Sequence, residues 1–401
     1  MSGWQTSRLD DCCEIVSGAT PKTNVKKYWD GEIRWATPKD VSGLSGAFID
    51  DTPRKITRAG LNSCATSVLP AGSVLLSSRA PIGHVAINSV PMATNQGFKS
   101  LAPIPDRLNA KYLFHWLQMK RSYLDSLGNG ATFKEISKAV VSSVEIPLPP
   151  MEEQRRIVEV LDRADKLRAM RRQALAHLDS LGQALFLSMF GEPRSNPKSW
   201  PMTPLRNLVS EFRYGTSNKS GAQGRPALRI PNVVRGALDL SEIKLVEVSS
   251  SDFNRLRLAE GDLLFVRTNG NPDFVGRCAV FDPHIVEHAG FPTGQYIYAS
   301  YLIRTRLTTE FVLPIFVREF MGSTAGRAAL RERCKTSAGQ YNLNIQGLGS
   351  VLIPVPPLDL QRNFVDRVAE VETLREAHQS QLSKLDELFA SLQDRAFRGE
   401  L

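Results

Sequence analysis

Two stretches of this chain space their apolar residues by three and four. The first carries Ile157, Val160, Ala164 and Leu167, then Arg171, then Ala174, Leu178, Leu181 and Leu185, and Gly191 and Pro193 close it. The second carries Phe364, Arg367, Val371, Leu374, His378, Gln381, Leu385, Leu388 and Leu392. A heptad seam of this kind predicts a long amphipathic helix in each place, with one polar break in the first and a weaker middle in the second. A helix of about 35 to 40 residues rises roughly 50 to 60 Å. A small domain cannot cover an apolar stripe over that length, so the economical expectation is that the two helices pack on each other as a coiled coil. The helix-pair interface is then expected to use Ile157, Ala164, Leu167, Leu178, Leu181 and Leu185 from one helix and Phe364, Val371, Leu374, Leu385, Leu388 and Leu392 from the other.

A short extended run ends in Pro-Pro just before each helix, over residues 144–150 and 351–357. Proline lacks the donor that a central strand needs and keeps its predecessor extended, so each run reads as an edge strand leading into the helix. Residues 10–150 and 205–350 read as short alternating strands with Gly/Pro/Asn turns, each with a helix, near residues 109–127 and 312–333.

These parts are copies. Residues 144–190 and 351–397 superpose without a gap at an offset of 207, sharing Pro149/Pro356, Pro150/Pro357, Gln154/Gln361, Arg168/Arg375, Asp179/Asp386 and Phe190/Phe397 among others. A fainter echo precedes each, Trp4-x4-Leu9 with Gly18 and Trp200-x4-Leu205 with Gly215. The expected plan is α+β with an internal pseudo-two-fold repeat: a globular mixed unit at 1–150, a long helix at 151–190, a second globular unit at 191–357 and a second long helix at 358–401. Two-fold related helices of one chain run antiparallel, and a centred register places Arg171 opposite His378.

Charge is unevenly divided. The formal net charge is +9, made of +5 over residues 1–150, +1 over 151–190, +6 over 191–357 and −3 over 358–401. The positive excess sits on the globular segments, as expected if those meet a polyanion while the helices meet each other. No apolar run approaches the length of a membrane span, and the N-terminus lacks the order of a signal peptide, so a cytoplasmic protein is expected. Five cysteines, at 12, 13, 64, 278 and 334, form no C-x-x-C pair, and reduced thiols are expected.

The basic segments also hold polar loops with the residue types that read base edges. Arginine pairs with guanine and Asn or Gln with adenine through two hydrogen bonds, while Lys, Ser and Thr satisfy phosphates. The DNA-binding candidates in the first segment are Lys22, Thr23, Asn24, Lys26, Lys27, Tyr28, Ser78, Arg79, Asn95, Gln96, Lys99, Thr132 and Lys134. Those in the second are Arg213, Tyr214, Asn218, Lys219, Arg267, Asn269, Asn271, Gln340, Tyr341 and Asn342.

The runs Ser17-Gly-Ala-Thr-Pro-Lys22, Tyr28-Trp-Asp-Gly-Glu-Ile-Arg-Trp35, Leu69-Pro-Ala-Gly-Ser-Val-Leu-Leu-Ser-Ser-Arg79 and Thr94-Asn-Gln-Gly-Phe-Lys99 resemble a target recognition domain of the type I restriction-modification specificity subunits. The Ile-Pro-Leu-Pro-Pro-x-x-Glu-Gln-x-x-Ile run ending at Ile157 resembles that family's repeated region, and the likeness extends over essentially the whole chain. The second half departs from it, with Arg267-Thr-Asn-Gly-Asn271 in place of the Ser-Arg pattern and Leu360 in place of the glutamate. The resemblance implies a non-catalytic, double-stranded-DNA-reading subunit in which each target recognition domain binds half of a bipartite site and the helices measure the spacer and dock partners. Those partners would be two adenine methyltransferase subunits and, optionally, two translocating nuclease subunits. S-adenosylmethionine, ATP and magnesium would belong to them, leaving no cofactor or metal on this chain.

Catalytic motifs point the same way. The only Pro-Pro pairs follow Leu148 and Val355, so the Asn/Asp-Pro-Pro-aromatic pocket of an adenine methyltransferase is missing, and a chain without a Gly-Lys dipeptide has no nucleotide P-loop. His284-Ile-Val-Glu-His288 has the spacing of an inverted zinc-protease motif but lies between Pro283 and Gly290, too short for the helix that motif needs. Asp239 with Glu242-Ile-Lys244 faintly resembles a nuclease arrangement, but such tripeptides are common by chance and the segment reads as a charged strand edge. A scaffold joining two adaptor domains for protein or glycan is the alternative from another class, and a self-contained nuclease or methyltransferase is a third.

Overall fold

The structure, a computed structural model, describes residues 4–44, 46–130, 134–234, 236–287, 290–337 and 339–401. They form two compact units, Met1–Arg172 with Ser380–Leu401, and Gln173–Gln379. Each unit contains one globular segment, part of one long helix and part of the other.

The main sheet of the first unit has the order Cys13–Ser17, Lys99–Pro103, Val74–Leu76, Val85–Asn88, Phe48–Ile49, antiparallel except for the last pair. The second unit repeats its first four positions with Val209–Tyr214, Leu302–Leu307, Leu263–Val266 and Cys278–Val280. A smaller sheet in each unit ends on a parallel pair, Trp29–Ala36 with Ala93–Thr94 and Arg225–Leu228 with Ile297–Tyr298. The central strands Val74–Leu76 and Leu263–Val266 are buried throughout. Their alternating side chains enter two cores, Val74 and Leu76 one and Leu75 another, with Leu263 and Phe265 against Leu264 and Val266 in the second unit.

The Pro-Pro runs form the expected ribbons. Glu145–Pro147 pairs antiparallel with Thr6–Arg8, and Leu352–Pro354 with Met202–Pro204. The echoed leucines close them identically: Leu9 N donates to Val144 O at 2.9 Å and Leu205 N to Val351 O at 2.8 Å. The long helices follow as Met151–Phe190 and Leu358–Arg398. Each stops at a glycine in the left-handed region, Gly191 at φ 81° and Gly399 at φ 74°.

The helix expected at residues 109–127 is two, Ala110–Met119 and Arg121–Ser126, and that at 312–333 is also two, Pro314–Gly322 and Thr324–Glu332. In the second unit the break has a clear cause. Ser323 is extended, and its hydroxyl accepts the Gly326 N–H at 3.1 Å, so a local N-cap ends one helix and starts the next.

Within each unit the long helices run antiparallel. In the first, Arg168 donates to Asp386 at 2.6 Å, and in the second Arg375 donates to Asp179 at 2.9 Å. The repeat offset maps one pair onto the other. A register with Arg171 opposite His378 puts Gln381 across from Arg168; the first unit instead has Asp386 there, more than a turn further on.

The seam does not predict which leucines are covered. Leu167, Leu181, Leu374 and Leu388 are exposed, at 53, 38, 51 and 50 %. Leu178, Leu185, Val371, Leu385 and Leu392 are half-buried, and Ile157, Ala164 and Phe364 are buried. Burial follows the globular cores rather than the seven-residue stripe, because a straight helix drifts off a strict heptad and each core seizes the nearest turns. Ile157, Leu161, Ala164, Phe389 and Phe397 enter the first unit's core; Phe186, Phe190, Phe364 and Val368 enter the second's. The shared phenylalanines take equivalent places, Phe397 against Tyr112 at 5.2 Å between centroids and Phe190 against Phe316 at 4.9 Å. All five cysteines are unpaired thiols. No helix among the described residues is long and apolar enough to cross a membrane.

Candidate nucleic-acid interface

In the second unit a strand end, a turn and a hairpin converge on a polar concavity of about 430 Å³ lined by Arg267, Thr268, Ser300, Tyr301, Gln340 and Asn342. Backbone bonds set the frame. Arg267 N donates to Tyr301 O at 2.9 Å, Leu343 N donates to Arg267 O at 2.8 Å, and Thr268 pairs with Asn342 in the hairpin Lys335–Ser337/Gln340–Asn342. The guanidinium of Arg267 stacks 4.6 Å from the centre of the Tyr214 ring, whose hydroxyl accepts the Ile345 N–H at 3.1 Å and so is held in place. Arg267 meets no carboxylate among the described residues. Tyr301 is 58 % exposed, and the Thr268 hydroxyl donates to Gln340 Oε1 at 3.3 Å.

The first unit builds the same frame from different side chains. Ser78 N donates to Gly97 O at 2.7 Å, Ile136 N donates to Ser78 O at 2.9 Å, and Arg79 and Asn129 both bridge Glu135. Ser78 therefore stands where Arg267 does, Gly97 where Tyr301 does and Glu135 where Asn342 does. The carboxylate changes the electrostatics, since Arg79 Nε reaches it at 2.8 Å and Lys99 Nζ at 3.2 Å. Burial pushes the Glu135 carboxyl up, but bonds from Arg79 and Lys99 outweigh it and hold the group below the usual carboxylate range. Lys134 is likewise paired, with Asp125 at 2.7 Å, and Gln96 accepts from the Thr20 hydroxyl.

The remaining candidates are scattered. Lys22, Thr23, Asn24, Lys26 and Lys27 are exposed and Tyr28 half-buried on the segment leading to Trp29, whose indole N–H donates to Lys22 O at 3.2 Å. Asn95, Asn269 and Asn271 spend their side-chain oxygens on the N–H groups of Gly97, Asn271 and Asp273, all at 2.9 Å, so they shape turns. Asn218 is tied to Glu247 O, Lys219 is exposed, and Tyr341 packs at the edge of a core. Arg213 is paired with Glu211, which also receives the buried Arg304. Thr132 lies outside the described residues. Sequence reasoning missed Ser300 and Tyr301, which carry no motif, and Glu135, which stands 56 positions from Arg79 and becomes its partner only through the fold.

The enzyme-like motifs have ordinary places. His284 sits on a four-residue helix, Pro283–Val286, and His288 lies outside the described residues. Glu242 is bound by Lys244 at 2.8 Å and Arg229 at 3.4 Å, the pairing of a charged strand edge. No cluster of His, Cys, Asp or Glu able to hold a metal occurs among the described residues.

The sequence profile of the type I restriction modification DNA specificity domain matches residues 1–178. The MjaIX specificity subunit of Methanocaldococcus jannaschii is 30% identical over 291 residues, 66% of this chain and 66% of that protein. The EcoKI specificity subunit of Escherichia coli K12 is 29% identical over 81% of this chain and 73% of its own length, and the StySPI specificity subunit of Salmonella potsdam 25% identical over 100% and 89%. The fold matches a chain solved in a study of complex assembly and conformational transition of the type I R-M system, with TM-score 0.61 and 18% identity over 100% of this chain and 99% of that one. It also matches the S subunit from M. genitalium, with TM-score 0.54 and 14% identity over 98% and 96%. Sequence likeness running through both globular segments, on a fold shared from end to end, establishes that the chain belongs to the type I restriction-modification specificity subunits.

Proposed function

We propose that this chain is the non-catalytic reader of a type I complex: each globular unit recognises one half of a bipartite duplex site, and partner subunits carry out adenine methylation and, where a nuclease subunit joins them, cleavage. One observation carries the reading. The same backbone frame occurs once in each unit with different side chains on it, as two different half-sites of one DNA molecule require. The positive excess over residues 1–150 and 191–357 supports it, since phosphate attraction supplies the sequence-independent share of binding. S-adenosylmethionine, ATP and magnesium belong in this reading to the partners.

The helices supply the partner surface. Leu167 and Leu388 are exposed in the first unit and Leu374 and Leu181 in the second, and the repeat offset exchanges the two sets. Two equivalent sets of exposed leucines suit two copies of one partner, the methyltransferase subunit.

The test is co-expression with the methyltransferase encoded beside it, followed by genome-wide mapping of modified adenines. A gapped, two-part motif is expected. A contiguous motif, or methylation indifferent to the presence of this chain, would overturn the reading.

A further inference from the structure

We propose that Arg267 is the guanine reader of the second unit's half-site, with Tyr301 packed against the same step of the duplex. This rests on the DNA-reading role proposed above and names the residues that would carry it. The guanidinium carbon of Arg267 lies over the Tyr214 ring, 4.6 Å from its centre, and that ring is itself pinned by the Ile345 N–H, so the arginine head has a fixed partner beside it before any ligand arrives. A planar fork with its face covered presents its N–H edge, the geometry that matches O6 and N7 of guanine in the major groove. Flexible lysines on exposed loops suit phosphates; a stacked arginine in a concavity does not need that role.

The first unit shows what this position looks like when its chemistry differs. There Ser78 replaces Arg267, and the neighbouring cation, Arg79, is neutralised by Glu135. In the second unit the Glu135 position is Asn342, so the carboxylate that would quench Arg267 is an amide. Gln340, Asn342, Thr268 and Ser300 supply further donors and acceptors around the fork. Tyr301 replaces Gly97, which adds an exposed ring where the first unit has no side chain. Gly97 cannot simply be enlarged, because a Cβ there would stand 2.8 Å from Pro38 Cγ. The two frames therefore share the bonds that hold them, while the half-buried Arg267 and the exposed Tyr301 stand where the first unit has a buried serine and a buried glycine.

The experiment compares the full chain and its R267A, R267K and Y301A variants, each in complex with the methyltransferase subunit, by mapping modified adenines and measuring binding to duplexes altered one position at a time. For R267A the expected result is loss of discrimination at one guanine of one half-site, by roughly 5- to 150-fold, with the other half unchanged. R267K keeps the charge but not the fork, so it should lose the same discrimination; if it restores the wild-type motif, the residue is a phosphate contact and the proposal fails. Y301A should weaken binding through the same half-site. An unaltered gapped motif in R267A, or equal weakening at every sequence, would overturn the inference while leaving the bipartite reading intact. The absence of a gapped motif from the wild-type complex would instead sink the bipartite reading itself.

Discussion

At the scale of single residues, the repeat conserves groups that close hydrogen bonds. Gln154 is fully buried, accepts the Asn109 N–H at 2.8 Å and donates to Arg107 O and Pro149 O at 3.0 and 2.9 Å. Gln361 repeats this with Leu313 N–H, Phe311 O and Pro356 O at 2.9, 3.0 and 2.8 Å. Replacing either with alanine strands three backbone groups, one in a buried bond and two in part-buried ones, so Q154A and Q361A should each cost about 2–4 kcal/mol, measured by denaturant titration. The shared position was visible in the sequence; its partners at Asn109 and Arg107, 45 and 47 residues away, were not. Glu135 makes a pH prediction. Its folded pKa lies below the ordinary 4.5, so its contribution is fully present above that value and is lost as pH falls through the lowered one. Thermal melting of wild type and E135Q should therefore differ at neutral pH, and the difference should shrink as the pH is taken progressively below 4.5. A gap that does not change on acidification would show that the difference does not come from the charged carboxylate held by Arg79 and Lys99.

At the scale of elements, periodicity gave the long helices and their ends, because those depend on local signals such as the Pro-Pro runs and Gly191, while their antiparallel sense followed from the two-fold repeat. It did not give the break at Ser323, where a capping hydroxyl competes with an otherwise continuous apolar pattern, nor the exposure of Leu167 and Leu374. The repeated ion pairs are a test of context. Arg375 and Asp179 are about half exposed, so R375A should cost no more than about 1 kcal/mol and almost nothing in molar salt. Arg168 is only 18 % exposed and also lies 4.1 Å from the centre of the Phe389 ring, so R168A should cost roughly 1 kcal/mol more and retain part of its effect in salt. Equal costs in the two variants would deny the aromatic contribution. The exposed leucines make a separate prediction: L167E with L388E should leave complexes holding one methyltransferase instead of two by mass measurement, without unfolding the chain, since these side chains are already solvated.

At the scale of the molecule, the duplication was legible because 207 residues separate copies of the same strand, proline pair and helix, whereas the reading frame was not. Its walls come from residues near 78, 97 and 135 in one unit and near 267, 301 and 342 in the other, brought together by bonds that no spacing encodes. Loop composition found Arg267, Gln340 and Asn342 and passed over Tyr301, since an isolated tyrosine in a strand-rich stretch reads as core. The same composition nominated Asn95, Asn269 and Asn271, whose side chains serve their own turns. A frame built independently in each unit leads to the broadest prediction. Replacing residues 1–143 with those of a relative of different specificity removes Ser78, Gly97 and Glu135 but leaves Arg267, Tyr301 and Asn342 with all their supporting bonds, and leaves both long helices intact. The chimeric complex should methylate a site in which one half is new and the other is the wild-type half, read by genome-wide mapping of modified adenines. Change in both halves would mean that the units share a single reading surface, and the repeated frame would then have to be explained by folding alone.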